Sequence, residues 1–260
     1  SPPALHREMA VAALEQGLDV LIEKPLAPTL EDVDAIVAAA DRSGRIAMVQ
    51  QTLRYNPTFW RAAELVRAGE IGQVRRVHAA LLNLGPRSWA PNSTWFFDPA
   101  LAGGGVLLDS GVHLVDLVRH MTGSDVQDLN GEVVFPSAPG VEEEASLVAW
   151  LDSGVQATFD LSWHVDPPQV CIELFGTDGW LRADAKSVIP ISIHRRSGGE
   201  FFPEVIRATW FGQVYRHFIT SCTDRTTPLS SVADNQKTIA PILALYHRDT
   251  VRRRYGTELA

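Results

Sequence analysis

The first fifty residues alternate helix and strand with little between them, and that alternation limits the fold more than any other feature of the chain. "PPALHREMAVAALEQG" has prolines where a helix can start, helix formers through its middle and Gly17 as its stop. "DVLIE" then reads as a short buried strand. Thr29 with Asp32 makes a capping-box-like start to a second helix, on which Leu30, Val33, Ile36, Val37 and Ala40 form one apolar face before Gly44 ends it. "RIAMVQQ" follows as another strand. Helix, strand, helix, strand with short links is the grammar of a parallel sheet with crossover helices. A strand should feed the opening helix, so residues 1–53 are expected to be the second part of a doubly wound domain. At the usual size of two βαβ units, about 60 to 80 residues would precede them.

From Asn56 the pattern changes. "NPTFWRAAELVRAGEIG" is one more helix with a glycine stop, followed by the strand-like runs "VRRVHAALLNL", "GEVVF", "ASLVAWLD", "VQATFDLSWH", "QVCIELFGT", "WLRAD" and "ISIHR". The links "DSG" and "TDG" are tight-turn signals that make their neighbours antiparallel. Several strands alternate polar and apolar residues, which implies one wetted face or one face turned to a partner. Residues 54–260 therefore read as a second domain on a large, mainly antiparallel open sheet. Asp234 to Arg254 reads as a terminal helix packing back toward the first domain, with Pro241 at a start or kink. The fold class is α/β followed by α+β.

Composition removes several functions. A formal charge of −8 over 260 residues argues against a nucleic-acid partner held by phosphate contacts, and the basic run Arg252 to Arg254 reads as a solvated helix end. Uninterrupted apolar runs are too short for a bilayer, so no membrane partner is expected. Cys171 and Cys222 are too few and too far apart for a disulfide framework or a zinc site. The N-terminus lacks a basic segment followed by an apolar one, so a cytoplasmic location is the expectation.

Two stretches carry chemistry. In "EKP", Glu23, Lys24 and Pro25 fall at the carboxyl end of a strand, where open parallel sheets bind ligands. The competing reading of Lys24 is a solvated loop lysine. In "AGGGVLLDSGVHLVD", three glycines permit close backbone approach, and Asp109 and His113 are spaced to share one helix face. A carboxylate beside an imidazole can move a proton near neutral pH. Other readings stand beside this one. Asp109 can be a first-turn acid, with Asp116 the solvent-side partner of His113. A metal pair is possible in principle, although no further His, Cys or acidic residue has matching spacing. A phosphate loop lacks its Gly-Lys-Ser/Thr and its strand–glycine–helix frame.

Together these stretches resemble the glucose–fructose oxidoreductase and inositol dehydrogenase (Gfo/Idh/MocA) family. "SPPALHREMAVAALEQGLDVLIEKPLA" is similar to that family's sequence after the fourth Rossmann strand, and "RYNP" at Arg54 to Pro57 to the start of its substrate domain. "WFFDPALAGGGVLLDSGVHLVD" is similar to its second signature and "NQKTIAPILALYHRDTVRRR" to its terminal helix. The resemblance implies a Rossmann domain binding NAD or NADP, and hydride transfer to or from a sugar, cyclitol or similar polyhydroxy compound. It implies that Lys24 hydrogen-bonds the reacting hydroxyl, that His113 takes its proton, and that Asp109 positions Lys24 and the substrate. Ser1, Pro2, His6 and Glu23 match positions that line the cofactor, as does Lys24. Tyr55 and Trp95 are candidates for the substrate pocket, Trp95 equally for the core. The glycine fingerprint for the pyrophosphate would lie ahead of Ser1. Sheet faces in the family often pair subunits, which implies a homodimer or homotetramer. Two other functions stay open: a glycoside hydrolase using NAD transiently, and a non-catalytic form binding sugar or a partner.

Overall fold

A computed structural model describes residues 1–136, 140–205, 211–248 and 251–255. After a tight turn at Pro3–Leu5, α1 (His6–Glu15) runs to Gly17, whose φ of 76° takes the chain into β1 (Val20–Ile22). Helix α2 (Leu30–Ser43) is capped as its sequence proposes: Thr29 Oγ1 accepts from the Asp32 amide at 3.1 Å and donates to the Asp32 carboxylate at 2.7 Å. Its buried face is Val33, Ile36, Ala39 and Ala40, while Leu30, expected on that face, is 38% exposed in the first turn. β2 (Ala47–Val49) pairs parallel with β1, Val20 opposite Ala47 and Ile22 opposite Val49.

The second part begins with α3 (Pro57–Arg67), capped by Asn56, and then β3 (Val74–Leu82). Two single-turn helices, α4 (Pro86–Trp89) and α5 (Pro99–Ala102), precede a π-helical turn at Leu107–Gly111 that opens directly into α6 (Val112–Thr122). Then come β4 (Val126–Phe135), β5 (Glu144–Leu151), β6 (Gln156–Ser162), β7 (Gln169–Gly176), β8 (Gly179–Asp184), β9 (Ile191–Arg195) and β10 (Glu200–Phe201). Helices α7 (Phe211–Asp224) and α8 (Val232–Leu245) and strand β11 (Arg252–Tyr255) close the described chain.

Nine of these strands form one open sheet in the order β10-β9-β8-β7-β3-β6-β5-β4-β11. Pairing is antiparallel except at β3–β6 and β4–β11. The sheet is two-faced: along β5, Ala145, Leu147, Ala149 and Leu151 are buried, and Ser146, Val148 and Trp150 point outward. The buried face packs on α3, α6 and α8. Pro99–Thr122 is long and apolar enough to cross a membrane by length and composition, but 78% of its most apolar window is buried in this packing.

The C-terminal segment departs from the sequence reading. α8 ends at Leu245 and runs through Pro241 rather than starting there, and Arg252 to Arg254 form strand, not helix end. The reason is local: β4 offers an unpaired edge, and Glu132 on it pairs with both Arg252 and Arg254.

A buried ionic network ties the parts together. Arg54 grips Asp116 of α6 with two 2.6 Å bonds and reaches Asp234 of α8 at 2.6 Å, as well as the Leu229 carbonyl. Arg119 binds Asp234, Asp125 and Thr238. Asp116 is therefore the partner of Arg54, not of His113. Burial pushes its carboxyl up, against the pull of Arg54. A buried charge needs such partners, because an uncompensated one costs several kcal/mol.

Candidate active site

Glu23, Lys24 and Pro25 follow β1 directly, with a cis peptide bond between Lys24 and Pro25. Leu26 and Ala27 beyond them are fully buried and anchor the loop. His6 holds it from α1: its Nδ1 lies 3.0 Å from the Pro25 carbonyl and its Nε2 3.3 Å from that of Ser1. Burial lowers the His6 pKa despite these carbonyls, which favours a neutral ring donating one N–H.

The glycines serve packing. A Cβ on Gly103, whose φ is +81°, would meet Pro28 at 2.4 Å; on Gly104 it would meet the Tyr246 hydroxyl at 2.2 Å, and on Gly105 the Glu142 carbonyl at 2.0 Å. That closeness lets the buried Glu142 carboxylate accept from the amides of Gly105 (2.9 Å) and Leu107 (3.1 Å) and from the Tyr246 hydroxyl (2.7 Å). An acid at the start of a helical segment satisfies its free amides and meets the positive end of its dipole. Burial raises the Glu142 pKa, opposed by those same bonds. Glu142, which no sequence motif marks, thus fixes where the Asp109 turn begins.

Asp109 sits within the π-turn and meets Lys24 across 85 residues of sequence. The ammonium is 2.6 Å from Asp109 Oδ1 and 2.8 Å from the Asp109 carbonyl oxygen. Ser110 donates to the other carboxylate oxygen at 3.2 Å. Burial would raise the Asp109 pKa, but the adjacent Lys24 charge, its hydrogen bond and His113 bring the net shift below the usual range. His113 is partly buried, with Nδ1 enclosed and without a hydrogen-bond partner. Its pKa falls to about 3, first through burial and then through Lys24, with Asp109 opposing. Asp109 and His113 lie close enough to affect each other's charge: Asp109 favours the protonated ring and His113 the ionised carboxylate. Among the described residues no hydrogen bond joins the two side chains.

Lys24 and Asp109 open on a cavity of about 330 Å³ walled by Glu23, Trp89, Trp95, Phe96 and Trp163, with Ser1 and Pro3 at one side. A neighbouring cleft of about 250 Å³ continues along β1 and shares Ser1 and Glu23, adding His6. The structure thus gathers Ser1, Glu23, Lys24, Asp109 and Trp95 around one space, with His6 in the adjoining cleft; His113, expected at the same site, lies beside Asp109 but is not among the residues that line either space. Pro3 lines the cavity where Pro2 was expected. Tyr55 does not reach it. It is 6% exposed, packs on Met48 and Val214, and lines a separate pocket with Trp60 and His217. The cause is the tight turn Thr52–Tyr55, which puts its ring beneath α7. Sequence reading had given Trp163 no role beyond a strand. Gly85 is the signal: at φ +65° it admits the Trp163 ring, which a Cβ would meet at 2.7 Å.

The residues present fit the nicotinamide end of a dinucleotide. A lysine at a parallel-strand carboxyl end faces a cavity that continues into a cleft along that strand, as ligand sites in open parallel sheets do.

A partial doubly wound sheet joined to an open mixed sheet, with a lysine–aspartate pair at the seam, defines a two-domain dinucleotide-binding architecture. The comparisons name it. Residues 1–51 match the "oxidoreductase family, NAD-binding Rossmann fold" model and residues 59–182 the "GFO/IDH/MocA C-terminal domain" model, so the chain belongs to the Gfo/Idh/MocA family. D-apiose dehydrogenase of Paraburkholderia graminis is 27% identical over 93% of the chain and 67% of its own length. Aldose-aldose oxidoreductase from Caulobacter crescentus, solved with glycerol, superposes with a TM-score of 0.83 at 26% identity, covering 95% of this chain and 74% of that one. GenD2 from gentamicin A biosynthesis, solved with NAD, gives 0.81 at 27% identity, covering 95% and 74%. The chain spans about two thirds of the first relative's length and about half that of several others.

Proposed function

We propose that this chain carries the catalytic part of an NAD- or NADP-dependent oxidoreductase that moves a hydride between the nicotinamide and a hydroxyl-bearing carbon of a sugar, cyclitol or related polyhydroxy compound. The observation that carries the reading is the Lys24–Asp109 contact at the mouth of an aromatic-walled cavity. When bound, the nicotinamide supplies the two-electron acceptor or donor. The chain's own residues manage the proton.

An ammonium has three donors. Asp109 takes two of them, through Oδ1 and its own carbonyl oxygen, and among the described residues no other acceptor takes the third, which is left for the substrate hydroxyl. That donor stabilises negative charge on the oxygen as the hydride departs. Asp109 stays ionised and holds the ammonium in one orientation. His113, neutral across the physiological range, is in the form that accepts the hydroxyl proton, and in the reverse direction it returns that proton.

The test is full-length protein with NAD or NADP and a panel of free sugars and cyclitols, followed by nicotinamide absorbance. Substrate-dependent change lost in Lys24→Ala supports the reading. Absence of any change across the panel with both cofactors would remove it.

Assembly belongs to the same reading. Val148, Trp150 and Phe175 are exposed on the open sheet, with Trp180 stacked on His194 beside them, a surface that suits pairing with a second copy. Sedimentation should show a dimer or tetramer, and Trp150→Lys should weaken it. A cytoplasmic setting is consistent with Cys171 and Cys222 both being free.

A further inference from the structure

Three of the aromatic residues that wall the cavity, Trp89, Trp95 and Phe96, belong to residues 84–98, in the connection between β3 and α5. We infer that Arg87 and Glu143 are positioning residues: their ion pair, which lies outside the cavity, fastens this connection, places its three aromatic side chains beside Lys24 and Asp109, and thereby sets substrate affinity. The inference deepens the oxidoreductase reading and rests on it only for the substrate whose affinity is measured.

The connection has little else to hold it. Its regular structure is α4 and one tight turn at Trp95–Phe97. From Gly85 to Asp98 the main chain bonds, among the described residues, only within the connection or to its flanks at Asn83 and α5. Trp89 is half exposed, so burial anchors that end weakly. Arg87 is the tie to the rest of the fold. Its Nη1 and Nη2 each donate to the Glu143 carboxylate at 2.9 Å, and its guanidinium carbon lies 4.2 Å over the Phe97 ring. The Glu143 side chain is 3% exposed. A two-pronged bond to a buried carboxylate fixes direction as well as distance, which a pair of exposed chains does not.

Glu143 is a firm anchor. Its amide donates to the Val134 carbonyl and its own carbonyl accepts from the Trp163 amide, both at 2.9 Å. His164 Nε2 lies 3.1 Å from its carboxylate. Arg87, Glu143 and His164 line a separate cleft of about 620 Å³ that shares Trp163 with the active-site cavity, and Phe97 stands edge-on to Trp163 at 5.9 Å. None of the three lines the cavity itself, so the pair acts on it through the aromatic side chains it places. The preceding residue, Glu142, holds the Asp109 turn. Two consecutive acids therefore serve two sides of one cavity, Glu142 the turn that bears Asp109 and Glu143 the aromatic wall.

The experiment uses full-length protein saturated with NAD or NADP, and the variants Glu143→Gln, Arg87→Met and Arg87→Lys. Hydrogen exchange is measured first, without substrate. Glu143→Gln keeps the shape of the side chain and removes its charge, so amides of residues 84–98 should exchange about tenfold faster while those of α6 keep the parent rate. Arg87→Met should do the same. Arg87→Lys keeps the charge but loses the second prong, and should fall between. Kinetics follow with D-xylose, D-glucose and myo-inositol. For any of these that is turned over, KM should rise about tenfold in Glu143→Gln and Arg87→Met with kcat within about threefold of the parent, because the groups at the reacting carbon are unchanged. Parent-like exchange in residues 84–98, or faster exchange that extends equally to α6, overturns the inference. So does a kcat that falls tenfold at unchanged KM. If no compound is turned over while the exchange contrast holds, the hydride reading fails alone; calorimetric affinity for the same three compounds then replaces KM, and absence of binding to the parent counts against the inference.

Discussion

Lys24 and Asp109, 85 residues apart in sequence, meet with Nζ 2.6 Å from the carboxylate and 2.8 Å from the same residue's carbonyl oxygen. One lysine is thereby locked to both the side chain and the main chain of one turn. Its position depends on everything that fixes that turn, including Glu142 beneath it and the glycines that let Glu142 approach.

Replacing Lys24 with alanine should lower turnover on the order of 100-fold or more and change how stability varies with pH. In the parent, the Asp109 pKa is depressed, so its contribution is present at neutral pH and lost as pH falls through the folded value. Without Lys24, the two largest lowering influences go and burial is opposed only by His113 and Ser110, so the carboxyl pKa moves upward and the stability present at neutral pH shrinks. The melting-temperature deficit of Lys24→Ala should be larger at about pH 7 than at about pH 4. An equal deficit at both would contradict the pairing.

His113 makes the opposite kind of test. Its folded pKa of about 3 lies below the ordinary histidine value, so the folded protein binds fewer protons between the two. Stability from this group therefore falls as pH drops from about 6.5 toward 3. His120, lowered to about 4 by burial and by Arg54 and Arg67, adds the same sign. His113→Asn should flatten the acid-side fall in melting temperature. It should also remove turnover by about 100-fold, and the parent's pH–rate profile should show no acid limb from His113 in the ordinary histidine range.

Arg54→Met should act on stability first. It leaves Asp116 buried without its bidentate partner and loosens Asp234 on α8, at a cost of about 3–5 kcal/mol. Denaturant midpoints measure this. A loss below about 1 kcal/mol would show that the network contributes little.

Gly105→Ala places a methyl group 2.0 Å from the Glu142 carbonyl oxygen. The turn must shift, with an expected cost of about 1–3 kcal/mol and a disproportionate loss of turnover as Asp109 moves away from Lys24. Gly154→Ala is the contrasting control. It meets nothing within 4 Å, although its φ of +80° still carries a backbone cost, and turnover should hold. Equal turnover losses in both variants would separate the glycine turn from the site.

Much of the framework was legible because short-range chemistry wrote it. Thr29 with Asp32, Asn56 before Pro57, and the glycines at 17 and 44 set helix ends through contacts within a few residues, and alternation along β5 marked its buried face. The C-terminal strand was not legible, since Arg252 to Arg254 take that form only where the β4 edge and Glu132 receive them. Tyr55 likewise sits in a motif whose neighbours reach the ionic network, yet its ring turns under α7. The motif gives the order of residues and not the direction of each side chain.

By itself the sequence determined the helix–strand order, the strand-end position of Lys24 and the presence of an acid and an imidazole on one later segment, all of which follow from local propensity and spacing. Only the tertiary structure decided that Lys24 and Asp109 touch, that Asp116 belongs to Arg54, and that Trp163 joins the cavity wall. Those outcomes depend on burial and on distances across the fold, where removing water makes each charge and donor answer to whichever partner the packing brings within reach.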